Sequence, residues 1–125
     1  MLEYQIQMEI VSYIKNNLPF LEVIFIKNET KGGVKEKSLA VKMGLKIGCP
    51  DLLLTAPKRN IMFLEVKKKG EKPRKSQREA QEDFRRQGFY VAWADNFGDS
   101  KKIILEWCKT FIDDISLQSD EEVLV

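Results

Sequence analysis

The sequence predicts one α/β domain in the order α-β-β-β-α-β-α, a sheet with helices packed on it. Three observations carry this. The chain of 125 residues fits a single domain and leaves no room for two. Segments with apolar residues at helical spacing alternate with short runs of β-branched and aromatic residues. Gly, Pro and Asn punctuate the joins between them.

The first helix is expected over Glu3–Leu18, where Ile6, Ile10, Tyr13 and Ile14 share one face and Asn16-Asn17-Leu18-Pro19 ends it. Leu21–Lys27 has strand composition. Asn28–Ile47, lysine-rich with Gly32, Gly33 and Gly44, is expected as a loop. A loop of this length in a small domain is functional, mobile, or conceals an element. Asp51–Thr55 and Ile61–Val66 flank Ala56–Asn60 as strand, turn, strand. Ser76–Gln87 is helical, with Gly88 as its C-terminal cap. Phe89–Ala94 reads as a buried strand. Lys101–Ile112 reads as the last helix, with Ile104, Trp107, Cys108 and Phe111 on its inner face. The domain is therefore expected over residues 1–112, followed by an acidic tail, 113–125, that is loosely held.

Composition narrows the chemistry. The chain contains no histidine, which removes Ser-His-Asp and Cys-His nucleophile systems, His-metal nucleases and His-based acid–base catalysis. Two cysteines, Cys49 and Cys108, are too few for an all-Cys zinc site or a disulfide framework, so both are expected as reduced thiols and the compartment as cytoplasmic. Neither a signal-peptide pattern nor a membrane-spanning apolar run is visible. The net charge is +2, but the tail holds five acids and no Lys or Arg, so residues 1–112 carry +7. Lys67, Lys68, Lys69, Lys72, Arg74, Lys75 and Arg78 concentrate that charge, which suits either a polyanionic partner or a solvated loop and helix start.

The pair of strands around Ala56–Asn60 carries the chemistry. Asp51 follows Gly48-Cys49-Pro50 at one strand's entrance. Glu65 and Lys67, two residues apart near the end of the next, share a face. Two carboxylates and a lysine held together suit metal-assisted phosphodiester cleavage, the acids binding Mg²⁺ or Mn²⁺ and the lysine orienting or deprotonating water or stabilising phosphate charge. The plain alternative is a capped turn beside a surface ion pair. Phe63 on the charged face, with Leu64 and Val66 opposite, argues against it, because charges emerging from a buried sheet are costly unless paired or metal-bound.

Gly48-Cys49-Pro50-Asp51, thirteen residues, then Glu65-Val66-Lys67 resembles the PD-(D/E)xK nuclease signature. The Gly-x-Pro-Asp and Glu-Val-Lys forms, the following Gln77, the opening Glu3-Tyr-Gln-Ile-Gln helix and Gly88-Phe89-Tyr90-Val91 resemble the VRR-NUC family within it, in its stand-alone phage-type form. The resemblance spans about residues 2–110. It implies a restriction-endonuclease-like core with a central mixed sheet flanked by helices, and a metal-dependent DNA endonuclease. It also implies a catalytic set of Asp51, Glu65, Lys67 and Gln77, with Asp51, Glu65 and the Val66 carbonyl as metal ligands. The superfamily places a further acid on the first helix. With Ile6 as zero, Glu3 falls at about 60°, inside the apolar stripe, and Glu9 at about −60°, on its edge. Glu3 is therefore the expected ligand, with Gln7 one turn on lining the same cavity. A frayed N-terminal Glu3 that favours the helix dipole is the alternative.

Lys68, Lys69, Lys72, Arg74, Lys75 and Arg78 would hold phosphates beside the cut, with Asn28 orienting substrate. Trp93 and Trp107 read as core, and Cys49 as a filler beside the site. Family relatives act on branched or flapped DNA in repair, and the stand-alone forms resemble Holliday-junction resolvases. One site per chain then calls for a homodimer. Two other functions compete: a non-catalytic nucleic-acid-binding module on the same fold, and a duplex-specific restriction-type nuclease.

Overall fold

The computed structural model of the chain describes residues 1–26 and 34–112, with the backbone alone for 34–37. Asn28 and the tail, 113–125, lie outside the described residues. The elements run α1 (Glu3–Asn17), β1 (Glu22–Phe25), α2 (Val34–Lys42), β2 (Leu52–Ala56), β3 (Asn60–Val66), α3 (Lys75–Arg86), β4 (Tyr90–Ala94) and α4 (Phe97–Lys109).

Two differences from the sequence reading stand out. The segment expected as a loop contains α2, whose apolar residues Leu39 and Val41 are exposed. Among its described side chains, 38–42, none is buried, and periodicity gives no helical signal. The last helix begins four residues early, at Phe97, because the Asn96 side chain accepts a hydrogen bond from the Asp99 N–H at 2.8 Å and caps it.

The sheet order is β1-β2-β3-β4. β1 and β2, and β2 and β3, pair antiparallel, while β3 and β4 pair parallel. The sheet is thus mixed, and α3 makes the crossover that the parallel pair requires. One sheet face, with Leu52, Leu54, Met62, Leu64 and Val66, packs on Ile6, Ile10 and Ile14 of α1 and Ile104 and Trp107 of α4. The other carries Phe63, Glu65 and Lys67. Phe63 stacks on Phe84 of α3 at 4.1 Å between centroids and meets Phe89 edge-on at 5.5 Å. These rings seat α3 on the face that bears the charges. Among the described residues, no helix is long and apolar enough to cross a membrane.

Candidate active site

Strand register brings the two acids together. Leu52 pairs with Leu64, so Asp51, one step beyond, comes opposite Glu65. The Val66 N–H donates to Asp51 Oδ2 at 3.0 Å, fixing that carboxylate against β3. Glu3, in the first turn of α1, reaches the same end of the sheet. Glu3, Asp51 and Glu65 each offer a carboxylate oxygen, and these lie within 4.8 Å of one another. The helical-wheel choice of Glu3 over Glu9 corresponds to this geometry, since Glu9 is not in the cluster.

Glu65 is 1% exposed and Lys67 is 5% exposed. Burial, reinforced by the negative charge of Asp51, raises the Glu65 carboxyl from 4.5 to about 9. Glu65 Oε2 receives no hydrogen bond from an N–H or O–H of the described residues. It bonds to the facing Asp51 only if one carboxyl of the two keeps a proton. Converging carboxylates must share either a proton or a cation. Three hard oxygen donors of this kind fit Mg²⁺ or Mn²⁺, and the buried Oε2 is the atom that the ion would satisfy.

Gln77, at the start of α3, is buried and joins the two charged residues of β3. Its Nε2 donates to Glu65 Oε1 at 3.3 Å, and its Oε1 accepts from Lys67 Nζ at 3.2 Å. The same Oε1 accepts the Arg74 N–H at 2.8 Å, satisfying a backbone donor that the helix start would otherwise leave open. Gln77 is therefore no solvent-facing helix residue.

Gly48 explains how α3 comes so close. Its φ is +80°, a left-handed value, and a Cβ there would collide with the Ser76 carbonyl. The loop carrying Asp51 thus lies directly against the first turn of the helix carrying Gln77. Pro50, between Gly48 and Asp51 in this loop, is fully buried. Cys49 is half-buried, and burial together with the Glu65 charge raises its thiol pKa, which keeps it protonated and unsuited to nucleophilic work.

The basic residues leave the site along the β3–α3 loop. Lys68, Lys69, Lys72, Arg74, Lys75 and Arg78 are all exposed. Lys68 meets Glu71 at 3.4 Å and Lys75 meets Glu79 at 3.9 Å. Arg78 turns back to donate to the Pro73 carbonyl at 2.8 Å. Trp107 is buried in the core. Trp93 is half-buried and pairs in register with Glu65.

Two features escaped the sequence reading. Asp95 accepts the Gly70 N–H at 3.0 Å, pinning the basic loop to the end of β4. A groove of about 890 Å³ runs along α1 from Glu3 and Asp51, lined partly by Gln7, Tyr4 and Phe25. The signal for it was present, because Tyr4, Met8 and Val11 form a second apolar stripe roughly opposite Ile6 on the helical wheel.

The family model of the VRR-NUC domain matches residues 6–96. Glu3 lies just before that stretch, and it is the fold that brings it beside Asp51 and Glu65. Among solved structures, a VRR_NUC domain protein superposes with a TM-score of 0.67 at 18% identity, over 87% of this chain and 89% of that one. A second, a VRR_NUC domain, gives 0.59 at 26% identity over 82% and 92%. The first likeness carries the fold alone. No curated protein matches the chain.

Proposed function

This chain belongs to the VRR-NUC domain family, a nuclease-type family with DNA as its implied substrate, and on that premise we propose that it is a metal-dependent endonuclease cutting phosphodiester bonds in branched DNA. The observation that carries the reading is the convergence of Glu3, Asp51 and Glu65 within 4.8 Å, beside a lysine that is 5% exposed. Two or more acids aimed at a polyanion repel it unless a cation sits between them, and this disfavours a role in binding alone.

Glu3, Asp51, Glu65 and the Val66 carbonyl would hold Mg²⁺ or Mn²⁺, which supplies Lewis acidity toward the phosphate and the attacking water. Lys67 orients that water and stabilises the charge that develops on the phosphate. Gln77 holds Lys67 and Glu65 in their relative positions. Lys68, Lys69, Lys72, Arg74, Lys75 and Arg78 bind flanking phosphates and set the register of the duplex without reading its sequence. Residues 1–112 form the nuclease domain and 113–125 an acidic tail. If the substrate is a four-way junction of the kind Holliday-junction resolvases cut, two copies of the chain supply the two cuts. Two free thiols, Cys49 and Cys108, suit a reducing cytoplasm, the host's if the chain is phage-encoded.

The test is cleavage of end-labelled four-way junction, flap, splayed-arm, duplex and single-stranded DNA by the wild type and Lys67→Ala, each with Mg²⁺, Mn²⁺ or EDTA. Metal-dependent cuts near the branch, lost in EDTA and in the variant, are expected. Binding without cleavage on every substrate would overturn the reading.

A further inference from the structure

The groove along α1 opens directly onto the carboxylate cluster, since Glu3 and Asp51 line both. Its walls are unlike the rest of the DNA-facing surface. Tyr4 is 60% exposed on α1, and Phe25 is 61% exposed on the edge strand β1. Met8, one turn along the helix from Tyr4, is 66% exposed between them and the far end. Cations also line the groove, Lys68 from the strand end that carries Glu65 and Lys15 from the far turn of α1. From Tyr4 to Lys15 the helix advances about 16 Å, room for a short stretch of nucleic-acid strand.

We propose that this groove seats unpaired nucleotides next to the scissile phosphate, with bases stacking on Tyr4 and Phe25 and the backbone held by Lys68 and Lys15. The inference rests on the nuclease reading for its scissile phosphate and deepens it by naming the substrate feature. Exposed rings flanked by cations match the two halves of a nucleotide, a π-face and a phosphate. Paired bases hide their faces in the stack, so a continuous duplex cannot use the rings, whereas a flap or splayed arm can. A second copy of this chain is the other occupant an apolar groove invites. It is disfavoured because a protein filling the groove would cover Glu3 and Asp51, where the substrate strand must arrive.

The experiment is fluorescence-anisotropy binding with Ca²⁺ as the cation, comparing splayed-arm DNA with a duplex of the same sequence. Alanine at both Tyr4 and Phe25 is expected to weaken splayed-arm binding by about tenfold or more and duplex binding by less than about twofold. Tyr4→Phe keeps the ring and is expected to retain binding. A 5-iodouracil in the unpaired arm is expected to cross-link to Tyr4 or Phe25. Equal losses on both DNAs, no loss on either, or cross-linking only outside the groove would overturn the proposal. So would a dimer of the wild type that the double substitution converts to monomer, read by light scattering. Because binding is read without cleavage, the two readings fail separately. A protein that cleaves but ignores the double substitution keeps the nuclease and loses the groove. One that cross-links at Tyr4 yet never cleaves does the reverse.

Discussion

Gln77 Nε2 donates to Glu65 Oε1 at 3.3 Å across the boundary between α3 and β3. With its other atom bonded to Lys67 Nζ and to the Arg74 N–H, the amide is at once a helix-start partner and a spacer between an acid and a lysine. A carboxylate in its place could not donate to Glu65, and a shorter amide would have to give up part of the span.

Gln77→Ala removes all three bonds. It is expected to cost about 1–3 kcal/mol of stability, since buried partners are left unsatisfied, and to slow cleavage by roughly 10- to 100-fold, the usual cost of losing a residue that orients ligands. Gln77→Glu keeps the shape but adds a negative charge beside Glu65, and is expected to shift the pH dependence of metal binding upward. Urea titrations and single-turnover cleavage across pH check both. Wild-type rates in Gln77→Ala would show that α3 alone positions the site.

Gly48→Ala forces a Cβ into the Ser76 carbonyl at φ +80°. Gly88, at φ +92°, has nothing within 4 Å of the same position. Gly88→Ala is therefore expected to cost about 1–2 kcal/mol for the backbone conformation alone. Gly48→Ala should exceed it by about 1–3 kcal/mol and should lower cleavage as well, because α3 must move away. Equal losses in urea denaturation would refute the close-approach argument.

The pH dependence follows from Glu65. Without metal, its folded carboxyl titrates at about 9 against 4.5 for the ordinary group. Between those values the folded state holds a proton that the unfolded state has released, so stability falls as pH rises from about 5 to about 9. The contribution is fully present below 4.5 and lost through 9. Thermal melts in EDTA are expected to show this decline. Glu65→Gln should flatten it, and Mg²⁺ or Mn²⁺ should offset it increasingly toward high pH, where the metal no longer competes with the proton.

Lysines inside and outside the site should behave differently. Lys67→Ala is expected to lower cleavage by roughly 10²- to 10⁴-fold with little change in DNA affinity. Lys69→Ala and Lys72→Ala, at exposed positions, are expected to weaken all substrates alike and to reduce the salt slope of log K by about 1 each. Binding titrations over a range of salt separate the two kinds.

The layering was readable from local pattern, because α1 buries a regular stripe of Ile6, Ile10 and Ile14, and β3 is a nearly continuous buried run bounded by turn residues. Helix α2 was not, since Leu39 and Val41 lie exposed on it. The early start of α4 hinged on one side-chain cap at Asn96. Gly48-Cys49-Pro50-Asp51 and Glu65-Val66-Lys67 were recognisable as a motif, and helical angle, together with the opening Glu3-Tyr-Gln-Ile-Gln pattern, favoured Glu3 over Glu9.

Residue types and their spacing were enough to give the α/β class, the carboxylate and lysine chemistry left once histidine is absent, and the candidate residues for it. Tertiary structure decided that Glu3, Asp51 and Glu65 meet within 4.8 Å, that Gln77 spans Glu65 and Lys67, and that Tyr4 and Phe25 face one groove. Composition and periodicity are properties of one segment, whereas a shared cation site, a bridging amide and a groove arise between segments far apart in the chain, and their distances are set only when strand register and helix seating close the fold.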